Sequence, residues 1–312
     1  MLTSVILTLL TCSQGLLIAA TKKSSRNYGY STVSANLMVE LLKLFISLLT
    51  LIWVRQKRGV SASTSLLVSF KRLMVYPIPA VLYLVKNLLQ YTIFMYVDAP
   101  SYQILKNFNV LTTAVLYTVL LNKRVSQLEW CSLLLLTIGC VVSQLQDDSN
   151  KVFQVSPNGI SLSILMASLS SLAGVYTEKI MKADQSKNIN VQNFYLYLFG
   201  IFFNSMMYCG VTETRSLNLN AFVEGFTPLV WLMIFNHAFS GIAVAYVLRF
   251  NNNLTKVKAT SFAVTLTTLM SVVFLNFELQ IQFLLGFLVV TISLYIPTLE
   301  IKQRFHATAL PH

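Results

Sequence analysis

Residues 83–109, YLVKNLLQYTIFMYVDAPSYQILKNFN, are the most informative part of the sequence. This stretch predicts two long apolar helices joined by a tight turn at Asp98-Ala99-Pro100. Polar residues nevertheless lie inside both helices: Lys86 and Asn87 in the first, and Tyr102, Gln103, Lys106, Asn107 and Asn109 in the second. Ionisable groups at membrane depth are costly, so they mark candidate functional sites. The stretch therefore predicts a membrane protein with a polar site between its helices.

The composition agrees with a membrane protein. The chain has 312 residues, of which 55% are hydrophobic and 11% are charged, whereas soluble domains carry about 25% charged residues. The net charge of +12 does not indicate nucleic-acid binding, because much of it lies in short loops between apolar runs, where membrane proteins concentrate Lys and Arg. The sequence therefore predicts that the protein is embedded in a lipid bilayer. It predicts no oligomeric state.

Ten apolar runs are long enough to span a bilayer, which takes about 20 residues. They are 2–20, 32–54, 76–96, 100–120, 127–145, 157–179, 192–212, 228–249, 257–277 and 281–299. The first lacks a charged n-region and a cleavage site, so we interpret it as a span and not as a signal peptide. Lys and Arg concentrate in the even-numbered loops and the tail, with loop one as the exception. This bias predicts that both termini face the cytosol.

The spans divide into two halves, residues 1–150 and 151–312, with five spans each. An odd number of spans per half gives the two halves opposite orientations. The sequence thus predicts an all-α membrane protein of two inverted five-helix repeats in one transmembrane domain, a plan that puts the substrate site near the midplane.

No motif predicts an enzyme. The chain contains no HExxH, GxSxG, P-loop or GxGxxG sequence, and these motifs carry much of known metal, acyl-transfer and nucleotide chemistry. The four cysteines all lie in apolar runs and form no CxxC pair, so neither a disulfide framework nor a metal site is predicted. Asp147 and Asp148 are predicted to lie in a solvated turn and not to bind a metal. No cofactor is predicted.

Lysines deep within the spans are the main candidate ligand-binding residues in the first half. Lys86 lies ten residues from either end of its span, and Tyr102, Lys106 and Asn109 form a polar stripe on the next. Glu40 and Lys43 lie three residues apart on one helix face, either as a self-neutralising pair or with Lys43 turned to a ligand. Polar side chains also join helices in bilayers, but the spans hold more base than acid. We therefore predict a cavity that receives an anion.

The second half offers fewer candidates. Asn193 and Tyr197 share a helix face, four residues apart, at the start of span seven. Lys256 begins span nine, where a lysine commonly extends its ammonium to the interface. Asn253 is a supporting candidate; its NLT sequon falls on the predicted cytosolic side, where it stays unused. Glu178 is predicted to reach the interface or cap a helix end.

These residues resemble the nucleotide-sugar transporters of the endomembrane system, especially the CMP-sialic acid transporter-like branch, over about residues 3–300. The motifs that carry the resemblance are YVDAPSYQILKNFN with the span after it (96–121), NKRVSQLEW (122–130), AGVYTEKIMK (173–182), NVQNFYLY (190–197) and NNNLTKVKATS (251–261). PIPAVLYLVKNLLQY (77–91) looks most like plant members.

The resemblance implies a ten-helix drug/metabolite-transporter fold, a Golgi location, and exchange of cytosolic nucleotide sugar for lumenal nucleoside monophosphate. It implies that the nucleotide is held by Asn87, Tyr102, Asn193, Tyr197 and Lys256, with Lys43 and Lys86 nearby. CMP-sialic acid or a related CMP-sugar, exchanged for CMP, is the first expectation. A UDP-sugar/UMP exchanger of the same fold and, from another class, a polytopic membrane transferase are the alternatives.

Two positions depart from the pattern of this branch. Animal CMP-sialic acid transporters have a lysine where this chain has Asn109, and here a lysine lies one turn earlier, at Lys106. Loop eight has Asn252 where the family commonly has an aspartate. Either Lys106 supplies the missing charge or the sugar specificity differs.

Overall fold

The structure is a computed structural model. It describes residues 2–24, 27–59, 63–66, 69–121, 126–143, 145–148, 151–153, 155–211, 219–251 and 280–308, together with 256, 260, 263, 267, 270, 272 and 273. The predicted ninth span, 257–277, lies largely outside these residues.

Helices make up most of the described chain. They are α1 (Leu2–Ala20), α2 (Thr32–Arg58), α3 (Phe70–Leu73), α4 (Pro77–Ile93), α5 (Ala99–Lys106), α6 (Phe108–Leu121), α7 (Gln127–Val142), α8 (Pro157–Ala183), α9 (Ile189–Val211), α10 (Leu219–Phe222), α11 (Pro228–Phe250) and α12 (Ile281–Thr308). The side chains of Ser31, Asp98, Ser126, Ser156 and Thr227 each accept a hydrogen bond from an amide in the first turn of the helix that follows. Such caps satisfy amides that have no partner inside the helix.

Two of the connections that the sequence predicts as loops form short antiparallel hairpins. One pairs β1 (Lys22–Ser24) with β2 (Asn27–Tyr28), and the other pairs β3 (Leu145–Asp148) with β4 (Lys151–Phe153). Asp147 and Asp148, predicted to lie in a solvated turn, therefore belong to a strand. Both hairpins join helices, and the described residues of the predicted spans are mainly helical, as predicted.

Among the described residues, five helices are long and apolar enough to cross a membrane. They comprise Thr32–Lys57, Phe70–Ile93, Pro157–Ala183, Ile189–Val211 and Pro228–Phe250, and shorter apolar helices cover Val5–Ala20, Gln127–Val142 and Ile281–Ser293. These helices support the prediction of a membrane protein, while the number of ten spans remains a prediction.

The predicted span 100–120 is divided at Asn107. The Asn107 amide donates to the Ile104 carbonyl at 3.0 Å, and the Val110 amide donates to the Asn107 carbonyl at 2.8 Å. Bonds over three residues tighten the helix into a 3₁₀-type turn. The prediction of one continuous helix is wrong here, because α5 ends before Asn107 and α6 begins after it.

The most extensive helix contacts join the two halves of the chain. α1 packs on α11, α2 on α9, α7 on α12, and both α4 and α6 on α8. Further contacts join α2 to α11 and α4 to α9. The halves are therefore interleaved in the bundle.

Two apolar clusters occupy different levels of the bundle. One contains Tyr91 of α4 and Ala238 of α11, and the other contains Ala80 of α4 and Ala245 of α11. Lys86 lies between these levels on α4. The polar middle of the helices is thus enclosed between two apolar layers.

Candidate functional site

A cavity lies between the two apolar clusters and has a volume of about 110 Å³. One water molecule needs about 10–15 Å³ of space measured with a 1.4-Å probe. The cavity is therefore large enough to hydrate several polar side chains or to receive part of a ligand.

Four lysines line this cavity: Lys43 from α2, Lys86 from α4, Lys106 from α5, and Lys256. Glu40 is the single carboxylate among the described lining residues. Neutral polar side chains complete much of the wall: Thr11, Gln14, Tyr83, Asn87, Asn109, Ser170, Thr177, Tyr197, His237, Ser240 and Thr260. The cavity has an excess of positive charge and many hydrogen-bonding groups.

The α2 side of the cavity carries a compact ion pair. Lys43 Nζ donates to Glu40 Oε1 at 2.6 Å, and the same ammonium lies 4.5 Å from the centroid of the Tyr197 ring. Both members of the pair are buried. Lys43 is therefore both paired with Glu40 and placed at the cavity, while its contact with a ligand stays a prediction.

Two glycines make room for this pair. A Cβ atom at Gly200 of α9 would lie 2.7 Å from Glu40 Oε2, and one at Gly241 of α11 would lie 2.9 Å from Lys43 Cδ. Carbon atoms pack against neighbours at about 3.5–4.0 Å. The close approach of α9 and α11 to α2 thus depends on the missing side chains at these positions.

The α4 side carries a lysine among neutral amides. Lys86 Nζ donates to Asn87 Oδ1 at 3.2 Å and to Gln90 Oε1 at 3.4 Å. Asn87 Nδ2 donates to Asn36 Oδ1 at 3.1 Å, and Asn36 Nδ2 donates to Asn204 Oδ1 at 2.6 Å. This chain of amides links α4, α2 and α9 and fixes the orientation of Asn87.

Lys106 and Asn109 lie on either side of the turn at Asn107 and both line the cavity. Lys106 Nζ is 5.8 Å from the centroid of the Tyr102 ring. The Asn109 amide contacts α8 instead, with Nδ2 donating to Ser170 Oγ at 3.4 Å and Oδ1 accepting from Ser171. The two residues reach the same cavity from different helices.

Three predicted site residues lie outside the cavity lining. The Tyr102 hydroxyl donates to Met166 Sδ at 3.5 Å, and Gln103 Nε2 donates to the Thr11 carbonyl at 3.2 Å. Asn193 is buried, and its Oδ1 has no hydrogen-bond partner among the described residues. Asn252 and Asn253 lie outside the described residues. Every ligand role assigned to a residue from sequence stays a prediction.

Some cavity residues are not candidates in the sequence-based prediction. Thr11 and Gln14 reach the cavity from α1, and His237 reaches it from α11, where its ring is stacked on Tyr91 at a centroid distance of 6.2 Å. Depth in a span is the signal that marks His237. Thr and Gln within an apolar run give no comparable signal without the positions of the neighbouring helices.

The observed surroundings of Glu178 differ from those predicted, which were the membrane interface or a helix end. The Glu178 side chain is buried and does not extend to solvent; it accepts hydrogen bonds from Lys182 Nζ at 2.8 Å and from the Tyr117 hydroxyl. The carboxylate therefore joins α6 to α8.

A helical bundle with a polar site near its middle is typical of the class of membrane transporters. Residues 1–298 match the nucleotide-sugar transporter family. The chain belongs to this family, whose members are multi-pass membrane transporters and not enzymes.

Similar proteins include plant and animal transporters. "CMP-sialic acid transporter 2" of Oryza sativa is 47% identical over 290 residues, which cover 93% of this chain and 81% of the rice protein. A "probable UDP-sugar transporter protein" of Xenopus tropicalis is 32% identical over 273 residues, which cover 85% of this chain and 82% of its own length. One crystal structure, with 14% identity and a TM-score of 0.64 over 97% of both chains, shows a shared fold.

Proposed function

We propose that the chain is an antiporter of the Golgi membrane that exchanges cytosolic CMP-sialic acid, or a related CMP-sugar, for lumenal CMP. The observation that carries this proposal is the charge of the central cavity, with four lysines and one carboxylate among its described lining residues. A nucleotide sugar and a nucleoside monophosphate are both anions, and lysine supplies a point charge for phosphate. Exchange of two anions through one site needs no proton relay.

The lysines and the neutral groups have different proposed roles. Lys86, Lys106 and Lys256 attract the phosphate, and Lys43 contributes with Glu40 holding its position. Asn87, Asn193 and Tyr197 provide fixed donors and acceptors for the base and ribose, with Tyr102 and Gln103 behind them. Because Tyr102, Gln103 and Asn193 lie outside the cavity lining, their contact with a nucleotide requires the cavity to widen.

Uptake by proteoliposomes tests the exchange and the substrate together. Vesicles preloaded with CMP, with UMP or with buffer alone are offered a panel of labelled nucleotide sugars. We expect uptake of CMP-sialic acid that depends on internal CMP. Equal uptake into empty vesicles would contradict antiport, and no uptake of any nucleotide sugar would contradict the proposed function.

Two inverted five-helix repeats, residues 1–150 and 151–312, are proposed to rock against each other around the cavity. The helix contacts support this proposal. If α1, α2, α4 and α7 are exchanged for α8, α9, α11 and α12, the contact of α1 with α11 becomes that of α8 with α4. Likewise, the contact of α2 with α11 becomes that of α9 with α4, and the α2–α9 and α7–α12 contacts map onto themselves. Repeats related by a twofold axis produce this pattern.

Both termini are proposed to face the cytosol. The support is the concentration of Lys and Arg in the even-numbered loops, which favours the cytosolic side. A tag at either end is expected to be cleaved by protease added outside intact Golgi vesicles. A tag that resists protease until the vesicles are opened would overturn this orientation.

A UDP-sugar/UMP exchanger is the second candidate function. It is favoured by the similarity to the Xenopus protein and by the departure at Asn109, where animal CMP-sialic acid transporters carry lysine. The same proteoliposomes distinguish the two candidates, because UMP and not CMP would then support uptake.

A further inference from the structure

A second cavity lies at the end of the bundle where α3, α8 and α9 meet, and its volume is about 520 Å³. It shares no described lining residue with the central cavity. Four cationic side chains, Lys71, Arg72, Lys179 and Lys187, line it together with one carboxylate, Asp184, among the described residues. These cations come from separate parts of the chain and converge on one concave surface.

Hydrogen bonds to main-chain carbonyls join the segments that form this basic pocket. Arg249, at the end of α11, donates to the carbonyls of Asp184 at 3.1 Å and Gln185 at 2.8 Å in the α8–α9 turn. Lys187 Nζ donates to the Ser65 carbonyl at 3.0 Å, and the Asn188 amide donates to the Ser63 carbonyl at 2.9 Å. The turn and the segment before α3 are thereby held in a fixed relation.

The single carboxylate does not neutralise the pocket. Asp184 accepts from Ser186 Oγ at 2.6 Å and pairs with Arg72 at 3.1 Å. The hydrogen bond from Ser186, together with the charge of Arg72, lowers the pKa of Asp184. Lys71 and Lys179 are exposed, and neither has an ion pair or hydrogen bond among the described residues. Their charge is available to a ligand.

An exposed apolar stripe runs away from the basic pocket along α3 and α4. Its members are large hydrophobic residues at spacings of three or four: Phe70, Met74, Ile78, Val81 and Val85. Phe70 is 73% exposed and directly precedes Lys71. Three tyrosines, Tyr76, Tyr176 and Tyr195, line the pocket itself, and tyrosine is enriched where a membrane protein meets the headgroup layer. A soluble phosphate compound would use the cations but not the stripe.

We propose that this pocket binds the headgroup of an anionic phospholipid, whose phosphate contacts Lys71, Lys179 and Lys187 while its acyl chains lie along the stripe. The pocket lies at the end of the bundle that the Lys/Arg bias predicts to be cytosolic, and anionic lipids are concentrated in the cytosolic leaflet. A lipid held there bridges the α3–α4 corner of the first half and the α8–α9 turn of the second half. We expect it to stabilise the contact between them.

Lipid titration of the purified full chain in neutral detergent, followed by native mass spectrometry, tests the proposal. The lipids are phosphatidylinositol and phosphatidylcholine with the same acyl chains, and the soluble competitors are glycerophosphoinositol, inorganic phosphate and CMP. The test variant is Lys71→Gln/Lys179→Gln. The matched control is Lys23→Gln/Lys57→Gln, which removes two exposed charges that do not line the pocket.

We expect phosphatidylinositol to bind more tightly than phosphatidylcholine, and the test variant to weaken its binding about 30-fold, since each basic residue near anionic lipid contributes about 1 kcal/mol. The control variant should bind as the wild type does. An equal loss in both variants, or equal binding of the two lipids, would overturn the site. Displacement of the lipid by the soluble phosphates at equal concentration would show a soluble-anion site and overturn the lipid assignment. Nucleotide exchange is a separate measurement, so failure here leaves the proposed transport function untouched.

Discussion

The two sides of the central cavity place their lysines in opposite surroundings. On α2, Lys43 has a carboxylate at 2.6 Å and an aromatic face at 4.5 Å. On α4 and α5, Lys86 has only amide oxygens as partners, at 3.2 and 3.4 Å, and Lys106 lies 5.8 Å from the Tyr102 ring. Neither Lys86 nor Lys106 has a carboxylate partner among the described residues.

The difference separates charge that holds the bundle together from charge that is available to a ligand. Breaking a buried ion pair is strongly destabilising because it leaves one charge without compensation. Lys86 and Lys106 have no carboxylate partner among the described residues, so their charge is available to an incoming anion. We therefore expect the α2 side to govern stability and the α4–α5 side to govern affinity.

The largest effect is expected for Glu40→Gln. This change leaves Lys43 on α2 without its carboxylate partner, so that its surroundings resemble those of Lys86 and Lys106. Loss of the partner of buried Lys43 should destabilise the protein by about 3 kcal/mol. The measurement is the thermal midpoint of the purified protein in detergent. The double variant Glu40→Gln/Lys43→Met removes both charges and should recover most of the loss. A single variant as stable as the wild type would show that the pair does not hold the helices.

Nucleoside monophosphate alone should stabilise the purified protein. At about 100 times its Kd, a ligand that binds only the folded state contributes roughly 2.7 kcal/mol. We expect CMP or UMP to raise the thermal midpoint, and Lys86→Gln to remove more of this shift than Glu40→Gln/Lys43→Met does. If a free sugar raises the midpoint while neither nucleotide does, the nucleotide is not the main ligand of the cavity.

Lys106→Ala tests whether the lysine one turn before Asn109 supplies the charge that Asn109 lacks. A hydrogen bond to a charged group contributes about 1.5–3 kcal/mol, so exchange should fall about 10- to 100-fold. Asn109→Lys in the Lys106→Ala background should restore part of it, since both positions line the cavity. Exchange and CMP binding near wild type in Lys106→Ala would refute the charge relocation. Retained binding with a changed substrate preference would place Lys106 at the sugar.

The smallest effect concerns the glycines behind the ion pair. Gly200→Ala puts a methyl group against the Glu40 carboxylate, and overpacking of this kind costs about 1 kcal/mol or somewhat more. The thermal midpoint should fall slightly, with exchange retained. Gly210→Ala on the same helix is the control, because nothing lies within 4 Å of its added Cβ. If both variants lower the midpoint equally, close packing at Gly200 is not the cause.

Local sequence features predict the helices and the lysines of the cavity. Apolar runs define the helices, and Ser31 and Asp98 begin theirs with a capping side chain. The depth of Lys86 and Lys106 within apolar runs marks them before any contact is known. These features depend on the cost of polar groups in lipid, which is a property of the local sequence.

The features that sequence does not predict depend on neighbouring helices. The turn at Asn107 divides a run that is long enough to continue as one helix. Tyr102 of the predicted polar stripe contacts Met166, and Gln103, another predicted site residue, contacts the Thr11 carbonyl. Gly200 and Gly241 look like ordinary span residues until the Glu40–Lys43 pair is placed between them.

The cross-half packing has a consequence for synthesis of the chain. When residues 1–150 have left the ribosome, α1, α2, α4 and α7 are made, but α11, α9, α8 and α12, on which they pack, are not. Until the second half enters the bilayer, the polar faces of these helices lack their final partners. Helices inserted in a bilayer associate through packing and interhelical hydrogen bonds. We therefore expect assembly to be completed late, and a nascent chain halted at its midpoint to be a substrate for membrane quality control.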